Sequence, residues 1–374
     1  MPIQFQPDQR LLVAMSGGVD SSVVAWMLAE AGHPLVGLFM RNGVKVDAAE
    51  VHKKSCCSLG DARDARMIAA TLGIPFQAVD LAEEFRDIIA YFVSEYGKGR
   101  TPNPCAVCNR DLKMGRLLEF ADELGCDGVA TGHYARIAVE DGRVRLRRGI
   151  DPRKDQSYQL FPVAEDHLAR TALPLGGMHK SEVRELAGRA GLRTSQKKDS
   201  QEVCFIPSND YRKLLEERGA ELHPGDLVDT GGKRLGEHPG TEHFTVGQRR
   251  GHKVAANDPL YVVETRPEEG VVVLGSREEC GASRMRVDDL NWVGFDVPAS
   301  GEFRCEVQHR YHCVPAPVTV CVANGIAEVA FDAPELAVAP GQGAAFYRAD
   351  LLLGGGWIQG TTRGVRAEAV APPV

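Results

Sequence analysis

Leu11 to Ser22, LLVAMSGGVDSS, constrains this chain more than any other stretch. Five leading apolar residues predict a short buried strand, Ser16-Gly17-Gly18-Val19-Asp20-Ser21 predicts a turn, and the apolar run that follows predicts a helix ending at Gly32. A strand, a glycine turn and a helix start together make an anion site. Gly17 and Gly18 lack Cβ atoms, so backbone N–H groups can close around a phosphate, while Ser16, Ser21 and Ser22 add hydroxyl donors at the positive end of the helix. It is not a Walker A loop, which needs GxxxxGK[ST] and a lysine; Asp20 stands where the basic residue is sought. The rival reading of so short a motif is an ordinary turn between strand and helix.

The next two hundred residues repeat the strand-then-helix alternation. Strands are predicted at Leu35 to Met40, Phe76 to Val79 and Gly128 to Thr131, and helices from Ser58 to Leu72, Ala82 to Tyr96 and Asn109 to Leu124. That order implies a parallel doubly wound sheet, with the ligand beyond the carboxyl ends of its strands. Loops 16 to 21, 40 to 57, 98 to 108 and 131 to 134 are therefore expected to converge, bringing Met40 and Gly132 to the phosphate site, with His133 either orienting its turn or touching the ligand. Beyond a helix at Asp210 to Arg218 the pattern changes to short apolar runs broken by glycine and proline, HFTVGQRRG among them, which read as β structure. Strands are expected near Phe303 to Gln308, Val318 to Val322, Ile326 to Phe331 and Ala344 to Arg348. Domains are accordingly placed at 1–215 (α/β), 216–280 (small β) and 281–374 (β, of about six strands), with the tail AEAVAPPV disordered.

A chain of 374 residues suits two or three domains of ordinary globular composition. No run of eighteen apolar residues and no signal-peptide order occur, so a cytoplasmic protein without a membrane partner is expected. Net charge of -7 argues against coating nucleic acid nonspecifically but leaves room for a local basic patch. Ten cysteines in such a compartment are expected to be mostly reduced, so a Cys-x-x-Cys pair there points to metal or redox chemistry rather than a structural staple. Cys105 and Cys108 of GRTPNPCAVCNR are the prominent pair, and Cys204 of KKDSQEVCFIP is a distant partner or a packed core residue. Arg143, Arg145 and Arg147 share one strand face after the Asp141-Gly142 turn signal, as either a phosphate-binding face or a charged edge strand. Gln308-His309-Arg310-Tyr311-His312 pairs cations with an aromatic, a combination suited to a phosphate and a stacked base. Cys280, Cys305, Cys313 and Cys321 read as small packed residues.

The turn SGGVDS resembles the PP-loop of the ATP pyrophosphatase superfamily. Together SGGVDSS, TPNPCAVCN, ATGHYAR, KDQSY, KKDSQEVCFI and FTVGQRRG resemble, in order and spacing, the tRNA-specific 2-thiouridylases, and cover most of the chain. The resemblance implies ATP-dependent replacement of the C2 oxygen of the wobble uridine, position 34 of tRNA, by sulfur, on a PP-loop fold followed by two small β domains, the last a barrel. ATP, with Mg2+, would be held by Ala14, Met15, Ser16, Gly17, Gly18, Val19, Asp20, Ser21, Met40 and Gly132. By the same resemblance Cys204 carries a persulfide, Cys108 attacks it to leave a disulfide, and a sulfur-relay protein or cysteine desulfurase is the donor. Asn103, Pro104, Cys105, Lys154, Asp155, Gln156, Arg310 and Tyr311 match positions that contact tRNA, and a monomer is expected. Many relatives carry Asp where this chain has Cys105, which opens a second route: Cys105, Cys108 and Cys204 as ligands of a [4Fe-4S] cluster that delivers sulfide. A zinc site completed by Cys56, Cys57 or a histidine is a third. The competing functions are another PP-loop ligase, which needs no thiols, and a non-catalytic RNA-binding sulfur carrier.

Overall fold

The computed structural model describes residues 5–43, 59–197, 203–206 and 210–363. Ser58, Cys56, Cys57, most of the 40–57 loop and the C-terminal tail lie outside these residues. Strands β1 (Leu11–Ala14), β2 (Leu35–Arg41), β3 (Phe76–Asp80) and β4 (Gly128–Ala130) alternate with helices α1 (Val19–Glu30), α2 (Leu59–Leu72) and α3 (Ala82–Gly97), then a composite helix. That last helix starts at α4 (Pro104–Cys108), five residues before the expected Asn109, because Asn103 Oδ1 accepts from Ala106 N and Pro104 supplies a preset first turn. It continues through a π-helical stretch, Asn109–Arg116, into α5 (Leu117–Glu123). A hairpin of β5 (Ala135–Glu140) and β6 (Arg143–Arg148), a short α6 (Glu165–Ala169), β7 (Thr171–Ala172), α7 (Lys180–Arg189) and α8 (Tyr211–Glu217) complete the first half.

Strand order in the first sheet is β3-β2-β1-β4-β7, all parallel. Alternate β1 residues serve opposite faces. Leu11 and Val13 join α1 and α7 residues such as Val23, Leu28 and Val183, whereas Leu12 joins Leu117, Leu118 and Ala121 of α5. With both faces covered, every β1 side chain but the last is buried, which is why the strand reads as a continuous apolar run. Each such side chain contributes about 1.5–3 kcal/mol by leaving water.

The second unit is a four-stranded sheet of β8 (Gly225–Asp229), β9 (Arg234–His238), β10 (Tyr261–Arg266) and β11 (Val271–Gly275), in the order β10-β11-β8-β9. The stretch Phe244 to Gly251, expected as β, is irregular instead, held by turns such as Gln248 N to Thr245 O. The third unit comprises β12 (Gly281–Trp292), β13 (Glu302–Gln308), β14 (Ala316–Ala323), β15 (Ile326–Leu336), β16 (Gly343–Arg348) and β17 (Leu351–Arg363). β12 pairs with both β15 and β17, closing a six-stranded barrel.

The β5–β6 hairpin belongs to the first half of the chain but extends the barrel's sheet, because Leu146 and Arg147 pair with Leu352 and Leu351 of β17. β6 is thus flanked on both sides and is no edge strand. Its arginines are spent on the junction: Arg143 on Glu165 and Asp296, Arg145 on the Gly294 carbonyl, Arg147 on Glu140 and Asp350. Beneath them Phe161 meets Trp357 edge-on at 5.1 Å, and Asn291 Nδ2 donates to Phe161 O and Val163 O. Among the described residues no helix is long and apolar enough to cross a membrane.

Candidate functional site

The turn between β1 and α1 is built on its own hydroxyls. Ser21 Oγ accepts from Ser16 N at 3.1 Å and lies 3.2 Å from Ser16 Oγ, while Ser22 Oγ donates to Gly18 O at 2.7 Å. Gly18 caps α1 without a side-chain hydrogen bond, so the cap residue itself takes up none of the first-turn N–H groups of the helix. Gly17 sits at φ 69°, and a Cβ there would collide with the Asp61 carbonyl of α2. Ala14 and Met15 end the strand beneath the turn, and Val19 is buried under it. Met40, at the end of β2, packs between two apolar clusters.

Of the four expected loops, 16–21 and 131–134 meet directly. A Cβ on Gly132 would lie 3.1 Å from Asp20 Cβ, and Tyr134 Oη donates to Asp20 Oδ1 at 2.8 Å. Lys180 Nζ, buried at the start of α7, is 2.7 Å from both Asp20 oxygens. His133 stays inside its turn, Nδ1 2.7 Å from Thr131 Oγ1, and burial drives its imidazole well below the ordinary range, so it is neutral at pH 7. A second lysine braces the loop from outside. Lys197 Nζ donates to Gly17 O at 2.8 Å and reaches Asp61 and Asp64; burial opposes its charge, but those two carboxylates outweigh it and hold the ammonium above its usual range. Lys197 also opens the segment that leads to Cys204. Sequence reasoning did not single out Tyr134, Lys180 or Lys197 for this loop, although Tyr134 and Lys197 lie in quoted motifs; Lys180 lies in none, and the convergence of the three on one loop is visible only in three dimensions.

The 98–104 stretch is anchored elsewhere. Gly99 O accepts from Thr265 Oγ1, Thr101 N donates to Pro340 O, and Arg100 pairs with Glu95 and Gln359. Pro104 is buried in the first turn of α4, leaving Cys105 exposed and Cys108 buried. Cys108 lies in the same apolar cluster that Cys204 packs against, with Phe205 set edge-on to Phe92 at 5.5 Å. Among the described residues no three Cys, His, Asp or Glu side chains gather as metal ligands, so neither an iron-sulfur nor a zinc set is assembled there.

The expected base-contacting positions cluster around two tyrosines. Tyr158 Oη donates to Gly343 O, and its ring lies 6.3 Å from that of Tyr311. Burial, then the charges of Asp155 and Cys105, push the Tyr311 phenol up to about 12. Arg310 and Tyr311 are exposed at the barrel surface. Asp155 is buried and turned inward, accepting from Gly149 N, Ser157 N, Ser157 Oγ and Arg148 Nη1. Gln156 is clamped to Tyr134, donating to its carbonyl and accepting from its N–H, and Lys154 N donates to Asp151 O. Arg148 also bonds Gln308 and lies 3.7 Å over the Tyr347 ring. Hydrogen bonds thus join Asp20 to Tyr134 and Tyr134 to Gln156, and those of its sequence neighbour Asp155 lead through Arg148 to Gln308 at the end of β13.

Residues 9–208 match the family described as tRNA methyl transferase HUP domain, 212–276 its PRC-barrel domain and 282–358 the aminomethyltransferase beta-barrel domain. The chain is 50% identical over 356 residues to the tRNA-specific 2-thiouridylase MnmA of Geobacter metallireducens, covering 94% of this chain and 96% of that protein. It is 46% identical to that of Geotalea uraniireducens and 45% to that of Carboxydothermus hydrogenoformans, each over 94% of this chain and 95% or 98% of theirs. A solved U34-tRNA thiolase, NcsA from Methanococcus maripaludis with its [4Fe-4S] cluster, superposes with a TM-score of 0.34 at 18% identity over 56% of this chain and 66% of that one. That superposition is too loose to bear on the chemistry here.

Proposed function

The chain belongs to the tRNA-specific 2-thiouridylase family, and from that premise we propose how its residues carry out ATP-dependent thiolation of tRNA uridine. A carbonyl oxygen of uridine is a poor leaving group. The C2 oxygen of the wobble uridine attacks the α-phosphate of ATP, the bond to the β-phosphate breaks, and pyrophosphate departs onto the loop of Ser16 to Ser21. Mg2+ enters with ATP as part of the substrate and neutralises its phosphates. Lys180 and Tyr134 hold Asp20 in one orientation beside that loop, and Lys197 keeps the Gly17 carbonyl from turning in towards the anion.

Sulfur follows as a persulfide on Cys204. Its outer sulfur attacks C2 and AMP leaves; the Cys108 thiolate then attacks Cys204 Sγ, breaking the persulfide bond and leaving its outer sulfur on the uridine. The product is thiolated tRNA and a Cys108–Cys204 disulfide, which a thiol reductant resets. Burial of Cys108 in the cluster that Cys204 packs against is the observation that carries this reading. We prefer the persulfide to the [4Fe-4S] route because the described cysteines form no ligand set. Methyl transfer, the wording of the family descriptions, would leave the phosphate loop without a task. Arg310, Tyr311, Cys105 and the turn at Asn103-Pro104 present the target base, while Lys154, Asp155 and Gln156 brace that surface. Residues 1–215 hold the chemistry, and 216–280 and 281–374 the RNA. The enzyme acts as a monomer in the cytoplasm, where thiols stay reduced, and draws sulfur from a relay protein or cysteine desulfurase.

Mass spectrometry of tRNA incubated with ATP and a sulfur source tests this directly. Cys108→Ser and Cys204→Ser each lower thiolation roughly a thousandfold while tRNA-dependent pyrophosphate release continues. Full thiolation by either variant, or iron-dependent activity in the wild type, refutes the persulfide assignment.

A further inference from the structure

The loop leaving β13 builds a thiol environment separate from Cys108 and Cys204. Cys313 N donates to Arg310 O at 3.3 Å, and His312 takes a left-handed φ of 60°, so the chain turns back and sets Cys313 against His309. His309 is fully enclosed, its Nε2 3.4 Å from Glu335 Oε1 on β15 and its ring edge-on to Phe331 at 6.3 Å. Neither ring nitrogen makes a hydrogen bond of regular geometry, and Cys313 and Glu335 are the groups that act on the ring. An enclosed imidazole between a thiol and a carboxylate favours the thiolate on one side and the imidazolium on the other, so it can take the proton from sulfur as the thiol reacts.

The surrounding charges agree with that. Burial alone would raise the thiol and lower the imidazole, yet their mutual pairing outweighs it in both, with Glu335 further favouring the imidazolium. Arg310 faces Glu335 from the loop, and the neutral phenols of Tyr158 and Tyr347 face Cys313. Neighbouring Cys305 lacks an imidazole, and burial pushes it up to about 12. Cys313 is half-buried between exposed His312 and Val314, the latter 83% exposed, so a small reagent reaches it.

We propose that Cys313, with His309 and Glu335, forms a reactive thiol site that takes low-molecular-weight disulfides by thiol–disulfide exchange. As the Cys313 proton passes to His309, the sulfur attacks one sulfur of the disulfide; a new S–S bond forms as the old one breaks, and the departing thiolate takes that proton. Cys313 is oxidised and the leaving sulfur reduced, so the exchange balances without another oxidant. The adduct stands beside Arg310 and Tyr311 and obstructs tRNA there. That consequence rests on the tRNA reading of those two residues; the exchange itself does not.

Full-length protein treated with oxidised glutathione at pH 6.5, followed by peptide mass mapping, provides the test. Cys313 is modified at least tenfold faster than exposed Cys321. His309→Asn slows it tenfold or more and moves its pH midpoint upward, and Glu335→Gln does the same to a smaller degree, covering the case in which the histidine variant fails to fold. Equal rates at Cys313 and Cys321 in the wild type, or an unshifted profile in a folded variant, overturn the proposal. Unchanged tRNA affinity after Cys313 is modified removes only the consequence for Arg310 and Tyr311.

Discussion

Asp20 and Lys180 illustrate how one residue pair joins stability to function. The lysine side chain is 11% exposed and the aspartate 32%, so the pair is partly screened and its loss is discounted accordingly. Lys180→Met removes the ammonium and leaves a half-buried carboxylate held by Tyr134 alone; about 1–2 kcal/mol of stability is lost by denaturant titration, and pyrophosphate release falls more than tenfold. His133 acts on the pH axis. Its folded-state value lies below the ordinary 6.5, so the unfolded chain binds the extra proton first. The stability it protects is whole above about pH 6.5 and is lost as pH falls beneath it, at up to about 1.4 kcal/mol per unit. Thermal melts from pH 7.5 to 5 therefore show a shallower acid loss for His133→Asn, which keeps an acceptor for Thr131, than for the wild type.

The phosphate loop was legible as an element because a buried strand, two glycines and a helix start follow one another in the chain. What holds it was not, since Asp61, Tyr134, Lys180 and Lys197 come from four other places in the sequence. Gly17→Ala puts that packing to the test. Its positive φ and the collision with the Asp61 carbonyl force either α2 or the loop to move, at about 1–3 kcal/mol. ATP-dependent pyrophosphate release falls at least a hundredfold, whereas Gly132→Ala, whose Cβ meets Asp20 Cβ at 3.1 Å, loses less than tenfold. The helix after Gly99 starts earlier than its polar run suggested, because a capping asparagine and a proline at the first turn act locally and override the periodicity further on.

At the level of the whole molecule the β5–β6 hairpin ties the α/β unit to the barrel, and Asp350 is its clasp, taking Arg136 at 2.7 Å and Arg147 at 2.9 Å. All three side chains are between a quarter and a half exposed, so a double-mutant cycle of Asp350→Asn with Arg147→Ala gives a coupling of about 0.5–1 kcal/mol. tRNA affinity keeps its salt dependence in these variants, because the guanidiniums already neutralise protein carboxylates; a flattened salt slope would restore the phosphate-binding reading of that strand face. Period and punctuation in the chain alone determined the parallel sheet, the β character of the last third and the glycine turn, since buried faces, glycine turns and strand lengths are local properties, whereas closure of the barrel rests on the pairing of β12 with the distant β17. Tertiary structure decided which charges are spent within the fold and which thiol meets an imidazole. Arg143 to Arg147 look like an RNA face until their acidic partners arrive from distant segments, and Cys313 looks like packing until Glu335 is brought to His309 by strand pairing across the barrel.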